Sequence, residues 1–264
     1  VVLAATGCDD DAPLGLDENR DRWTLVWSDE FDGPAGQLPN PANWRFDIGT
    51  DWGNNQLEYD TDRPENVSLD GNGNLAITAR KTASAAIAEG RFKDQIVPVE
   101  LKSRKGTKIF DTDERVRADA SIEGMSKLRT VFKKDGSVTA GNASGINDGA
   151  AAVVLADAGY AEKQGLAPMG RLVSYAFAGV DPAYMGEGPI PAVKKALDRA
   201  GLQVGDMDVI ESNEAFAAQA LAVSKGLEFD PAKTNPNGGA VALGHPIGAT
   251  GAILTVKALY ELQR

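Results

Sequence analysis

The sequence predicts a mixed chain: an α/β layered domain over residues 82–264, preceded by a short all-β segment over residues 22–80. Three observations carry this. All four tryptophans, Trp23, Trp27, Trp44 and Trp52, fall in the first 52 residues. Residues 12–80 are broken up by turn-forming Asp, Asn, Gly and Pro, whereas from Thr82 onward the chain is rich in Ala, Lys and Gly. The charge is also uneven. Residues 1–81 carry 6 Lys/Arg against 16 Asp/Glu, and residues 82–264 carry 21 against 22.

Element by element, the first part alternates short apolar runs with tight turns. Trp23–Trp27, Asn66–Leu69 and Leu75–Thr78 read as strands, separated by Asp32-Gly33-Pro34, Pro39-Asn40-Pro41 and Asp70-Gly71-Asn72-Gly73. The pattern then changes period. Ala83–Glu89 reads as the end of a helix closed by Gly90. Ala150–Leu155 and Arg171–Val180 read as buried strands. Pro191–Ala200 is a helix stopped by Gly201, Val209-Ile210 a short strand, and Asn213 a cap for the helix that follows. Ala252–Gln263 closes the sequence as a helix with Ile253, Val256 and Tyr260 on one face. Alternating strands and helices imply a layered α/β domain.

The totals narrow the function classes. The acidic first part, with 6 Lys/Arg against 16 Asp/Glu in residues 1–81, argues against nucleic-acid binding, which needs a basic surface to displace counterions; the nearly neutral remainder says little about partners. A single cysteine, Cys8, excludes an internal disulfide framework and a cysteine-rich zinc site, and no metal site is expected. No apolar run approaches the roughly 20 residues that span a bilayer. Residues 1–21 form a segment of their own. Val1–Gly7 leading into Cys8 and then Asp9-Asp10-Asp11 looks like the tail of a bacterial lipoprotein signal with an acidic linker, which implies an envelope location anchored at Cys8.

Trp27-Ser28-Asp29-Glu30-Phe31-Asp32-Gly33 and Asp51-Trp52-Gly53-Asn54-Asn55-Gln56-Leu57-Glu58-Tyr59 resemble the opening of the family 16 glycoside hydrolases, the laminarinase-like β-glucanases. The resemblance covers residues 22–80 and implies part of a β-jelly-roll sandwich. Trp52, Asn54, Asn55 and Tyr59 would then line a sugar cleft and bind β-glucan. Aromatic faces stack on sugar rings and amides satisfy hydroxyls. The carboxyl pair that a retaining glycosidase needs is not matched: Arg63 stands where a second Glu belongs after Glu58 and Asp60.

Three longer motifs follow: Thr139–Ala150, Asn213-Glu214-Ala215-Phe216-Ala217, and Asn235–Gly239 through Gly244-His245-Pro246-Ile247-Gly248-Ala249-Thr250-Gly251. His245 is the sole histidine, in a stretch with five glycines between 238 and 251 that lets ligand and backbone approach closely. A helix starting just after it would disfavour imidazolium, leaving a neutral ring able to act as a base or to donate to an oxyanion. By chemistry alone, a lone histidine is more often a packed, satisfied residue, since catalysis needs a positioned partner.

These motifs resemble the thiolases, the acetyl-CoA acetyltransferase family, over nearly all of residues 82–264. The resemblance implies transfer of acetyl groups between acyl-CoA thioesters, with coenzyme A or acetyl-CoA as substrate and no tightly bound cofactor. His245 and Asn213 would be catalytic, the first activating a cysteine and polarising the thioester, the second orienting a water. Arg117, Leu128, Phe132, Ala140, Ser144 and Phe216 would face CoA, although the two phenylalanines read equally as core packing. The family location is cytoplasmic, and its members assemble as dimers or tetramers.

Both family cysteines are unmatched, since Cys8 corresponds to neither, so no acyl-enzyme is expected. The strands that pair with Ala150–Leu155 are expected to lie in the family's N-terminal half, which leaves part of this core open. Two other readings remain: a glucan-binding envelope protein with a passenger thiolase segment, and a fusion or assembly artefact without function, joined near Arg80–Ser84.

Overall fold

A computed structural model describes residues 1–4, 74–134 and 136–264. Trp52, Asn54, Asn55, Tyr59 and Cys8 lie outside the described residues, as does the family 16-like segment up to residue 73. The described elements in chain order are β1 (Val2–Ala4), α1 (Asn74–Ala88), β2 (Val99–Ser103), β3 (Gly106–Phe110), α2 (Ile122–Ser126) and α3 (Ala158–Lys163). Then come α4 (Pro189–Ala200), β4 (Val209–Glu211), α5 (Ala217–Leu227), α6 (Ala240–Leu243) and α7 (Thr250–Glu261).

β4 organises the core. Its three residues are all buried, and side chains of a strand alternate between faces. Ile210 joins Val193 and Leu197 of α4, Val223 and Leu227 of α5, and Met207 and Phe229 in one apolar cluster. Glu211 points the other way, to Lys257 of α7. Along its edges, β4 pairs antiparallel with β1, Leu3 opposite Ile210. On the other side, the Ile210 N–H donates to Lys233 O at 2.9 Å and the Asn235 N–H to Ile210 O at 2.8 Å, a short parallel bridge. β4 thus lies between two helical layers, as the alternating pattern predicts.

The helices follow their sequence signals, with shifts that have physical causes. α4 starts two residues earlier than expected, with Pro189 in its first turn, where the missing N–H is no loss. Gly201 ends it at φ 66°, and the Leu202 N–H closes onto Leu197 O at 3.0 Å. In α7 the deeply buried positions are Thr250, Leu254, Lys257 and Ala258, not the expected Ile253, Val256 and Tyr260. The stripe includes a lysine because Glu211 awaits it. Asn213 does not cap α5. Phe216 occupies the cap position with extended backbone, and the Ala217 N–H is satisfied by Asn142 O at 2.9 Å.

Two corrections are larger. Leu75–Thr78, expected as a strand, belongs to the 15-residue helix α1. Ala76, Ala79, Ala83 and Ala86 are almost fully buried at spacings of three and four, so one helical stripe runs through the composition change. Ala79 and Ala83 pack on Ala242 of α6. Ala150–Leu155 and Arg171–Val180, expected as buried strands, form no strand at all. Neither has a ladder partner among the described residues, and an apolar run becomes sheet only by pairing. Val154 is 97% exposed and Phe177 80%, so this side of the core is open.

Two features of this core are directly testable. Gly238 sits at φ 83°, and a Cβ there would lie 2.8 Å from Ala79 O and from the Ala83 methyl. Gly238→Ala is expected to lower stability by at least about 1–2 kcal/mol, the ordinary penalty for a side chain in left-handed backbone. An unchanged urea midpoint would mean that α1 does not seat on this loop. Lys257 and Glu211 form an ion pair at 2.6 Å with side chains 5% and 0% exposed. Lys257→Met leaves the carboxylate buried without its partner and is expected to cost roughly 3–5 kcal/mol in the same experiment.

Candidate active site

The end of β4 and the start of α7 bring together the two residues named as catalytic. Asn213 Nδ2 stands 3.4 Å from His245 Nε2, although 32 positions separate them. Each is held from behind. The Asn235 side chain grips the backbone of Ser212 on both sides, accepting from its N–H at 2.9 Å and donating to its carbonyl at 2.9 Å. The same amide nitrogen donates to Glu214 Oε1 at 2.9 Å. Asn213 is therefore clamped through both of its sequence neighbours.

His245 is held by a second set. Its backbone N–H donates to Asn147 Oδ1 at 2.8 Å and to Gly145 O at 3.0 Å. Gly244 makes the turn into it at φ 103°, where only glycine is unstrained. Its Nδ1 lies 2.8 Å from Thr250 Oγ1 in the first turn of α7. Partial burial holds the imidazole pKa below its ordinary value, so the ring is neutral near pH 7.

Glu214 links the two sets. Its carboxylate accepts from Asn235 and, at 3.3 Å, from the Val241 N–H of α6, the turn that leads into His245. Burial pushes this carboxyl up, opposed chiefly by the Asn235 and Val241 donors and then by Lys257 and Arg80. Glu211 behaves alike: burial raises it, and the Lys257 ammonium pulls it back. The Arg80 side chain is buried as well and donates to Gly141 O at 2.7 Å, tying α1 to the Thr139–Ala150 loop.

That loop carries two of the six residues expected to face CoA, Ala140 and Ser144. It lies against the Asn213–Ala217 segment: Ala143 bridges Phe216, and the Ser144 N–H donates to Ala215 O at 2.9 Å. The Phe132 and Phe216 rings meet edge to face at 6.0 Å, and Phe132 is 53% exposed. Leu128, also exposed, covers Gly141, where a Cβ would come within 2.7 Å of its methyl group. Ala140 is exposed beside it. Leu128, Phe132, Ala140, Ser144 and Phe216 thus form one partly apolar surface. Arg117 is exposed and near enough to act on Arg80, whose pKa is lowered first by burial and then by the charges of Arg115 and Arg117. An open groove of about 450 Å³ runs beside His245, between Asn147–Ala151 and Pro246–Ala249.

Comparison with known proteins gives the constellation a family. Residues 62–159 match the family model described as thiolase, N-terminal domain, and residues 166–264 match thiolase, C-terminal domain. The chain belongs to the thiolase family. The N-terminal match begins at residue 62, upstream of the composition change at Thr82. This thiolase chain is 59% identical over 246 residues to beta-ketothiolase BktB of Cupriavidus necator, covering 92% of this chain and 61% of that protein. It is 53% identical over 198 residues to the acetyl-CoA acetyltransferase of Shinella zoogloeoides, covering 75% and 50%. Among solved structures, the Bacillus anthracis acetyl-CoA acetyltransferase superposes with a TM-score of 0.73 at 47% identity, over 76% of this chain and 52% of that one. A human mitochondrial 3-ketoacyl-CoA thiolase in complex with CoA gives 0.67 at 39% identity, over 76% and 51%. The chain thus spans between half and two thirds of the length of these relatives.

Sequence reasoning named Asn213 and His245 but missed the residues that hold them. Asn235, Glu214, Asn147 and Thr250 all stand inside the quoted motifs, yet only their fold neighbours reveal what they hold. Lys257 could have been flagged as a charge between the apolar Leu254 and Ala258.

The lowered pKa of His245 carries a sign. The folded chain binds this proton less readily than the unfolded chain. The associated stability is fully present above about pH 6.5, the ordinary imidazole value, and is lost as pH falls through it toward the folded pKa. With one histidine in the chain, the imidazole resonances report this directly. A midpoint below the ordinary value is expected, and a midpoint above it would overturn the placement of the ring.

Proposed function

We propose that this chain is a CoA-thioester-binding thiolase segment that presents half of an acyl-transfer site. The observation that carries the reading is the approach of Asn213 Nδ2 to His245 Nε2, 3.4 Å apart beside the Phe132–Phe216 surface. A neutral imidazole can take a proton from a thiol, and the resulting imidazolium can donate to the oxyanion of an attacked thioester. The Asn213 amide N–H can donate to the same oxyanion. The buried Asn213 Oδ1, without a hydrogen-bond partner among the described residues, leaves one acceptor for a ligand donor.

In this reading the pantetheine arm lies along Phe132 and Phe216, Ser144 meets its amide, and Arg117 meets the nucleotide phosphates. Acyl transfer needs a thiolate nucleophile, and the sequence holds one cysteine, Cys8, outside all three motifs. The proposal is therefore binding without turnover by this chain alone. The second reading, glucan binding, rests on Trp52, Asn54, Asn55 and Tyr59 and their resemblance to the family 16 cleft.

Isothermal titration of the full chain with CoA tests the proposal. Binding that weakens at least about tenfold in Phe132→Ala or Phe216→Ala is expected, a loss of about 1.4 kcal/mol. Heat with laminarin and none with CoA would favour the glucan reading instead. Acetyl-CoA release from acetoacetyl-CoA, abolished by His245→Ala, would overturn the absence of turnover.

A further inference from the structure

We infer that Thr250 is a positioning residue: its hydroxyl fixes His245 in the Nδ1–H tautomer and turns a bare Nε2 lone pair toward Asn213. The inference rests on the reading above only in taking His245 as the group that handles the proton.

The argument is a count of protons. A threonine hydroxyl has one hydrogen to give and two lone pairs. Thr250 Oγ1 gives its hydrogen to Pro246 O at 3.0 Å. In its 2.8 Å contact with His245 Nδ1 it can therefore only accept, so Nδ1 carries the hydrogen. A neutral imidazole has a single N–H, which leaves Nε2 as an acceptor. What faces Nε2 is Asn213 Nδ2, a donor, at 3.4 Å. The opposite tautomer would need the Thr250 hydrogen turned from Pro246 O to Nδ1 and the Asn213 amide turned to set its oxygen against Nε2–H. With the Thr250 hydrogen on Pro246 O, both contacts are satisfied by the same tautomer. The Thr250 contact also sets the Asn213 amide, because a carbonyl oxygen turned toward Nε2 would meet a lone pair.

Thr250 is built for this role. It is 7% exposed, and its backbone N–H is held by the same Pro246 carbonyl at 2.9 Å. The branched side chain restricts its χ1 rotation, so the hydroxyl cannot easily swing away from the ring. The His245 backbone is anchored by Asn147 and Gly145, which limits the ring to its own side-chain torsions.

Because the chain has one histidine, a long-range 1H–15N correlation spectrum of the labelled full-length protein shows a single imidazole. Recorded above the ring's titration, it is expected to show a pyrrole-like Nδ1 and a pyridine-like Nε2. Thr250→Ser keeps the hydroxyl and is expected to keep this pattern. Thr250→Val keeps the shape without the hydroxyl, and the 15N shifts are expected to exchange toward the Nε2–H form that free imidazole side chains prefer. An Nε2–H ring in the unsubstituted protein would overturn the inference whether or not the valine variant folds. So would a folded Thr250→Val protein that keeps the Nδ1–H pattern. A merely structural threonine would not produce loss with valine and rescue with serine. The reading of the site as CoA-binding can fail in titration while this result stands.

Discussion

Asn235 adopts a φ of 47°, a left-handed setting that asparagine tolerates better than most residues, and does so immediately before a proline. The strain persists because that backbone setting accompanies the side-chain amide's reach to three partners at once: both backbone groups of Ser212 and the carboxylate of Glu214. These bonds close the gap between the Asn235–His245 stretch and the end of β4. Among the described residues, the other polar links between the loop that carries Asn213 and the loop that carries His245 are the Glu214–Val241 bond and the Asn213–His245 contact itself. The 3.4 Å approach of the two site residues is a downstream result of that clamp.

Buried charge is the second constraint. Glu211, Glu214, Lys257 and Arg80 are all at least nine-tenths buried. Each charge must find partners, since an unpaired buried ion costs several kcal/mol. Lys257 satisfies Glu211 and the Gly238 carbonyl together, and Arg80 reaches Gly141. The partners lie in the glycine-rich stretches that shape the site. The charges therefore fix the register of α7 against β4 and of α1 against the loop beneath Leu128. Replacing any one with an apolar residue would leave its partner stranded.

The α/β character, the helix at 191–200 with its Gly201 stop, and the strand at Val209 were all legible in the sequence, because each has a local signal in period or cap chemistry. Asn213 and His245 were legible through their motifs. Five features were not. The alternation of Leu75 and Ile77 suggested a strand, while the alanine stripe that decides for helix needed a window reaching past Thr82. Asn213 looked like a cap because amides often are, but its position is set by Asn235 from a distant loop. The face of α7 was misjudged because a lysine counted as solvent-facing until Glu211 appeared opposite it. Ala150–Leu155 and Arg171–Val180 have the composition of strands, but composition cannot supply a ladder partner. The tautomer of His245 is the extreme case, since it depends on a single hydroxyl proton five residues away.

The helix α1 has a bearing on where this protein can be divided. Composition places a boundary at residues 80–82, and a protein engineer reading the sequence would cut there. The cut would pass through the middle of a continuous alanine stripe. Ala76 and Ala79 would fall on one piece, Ala83 and Ala86 on the other, and Arg80 would be separated from Gly141. Half-helices of seven or eight residues hold little structure in water, well below the roughly 12–15 at which isolated helices become marginal. The C-terminal piece would lose half of the wall on which Gly238 and Ala242 rest, and with it part of the support behind His245. A change in composition along a chain is thus no guide to where its folding units end.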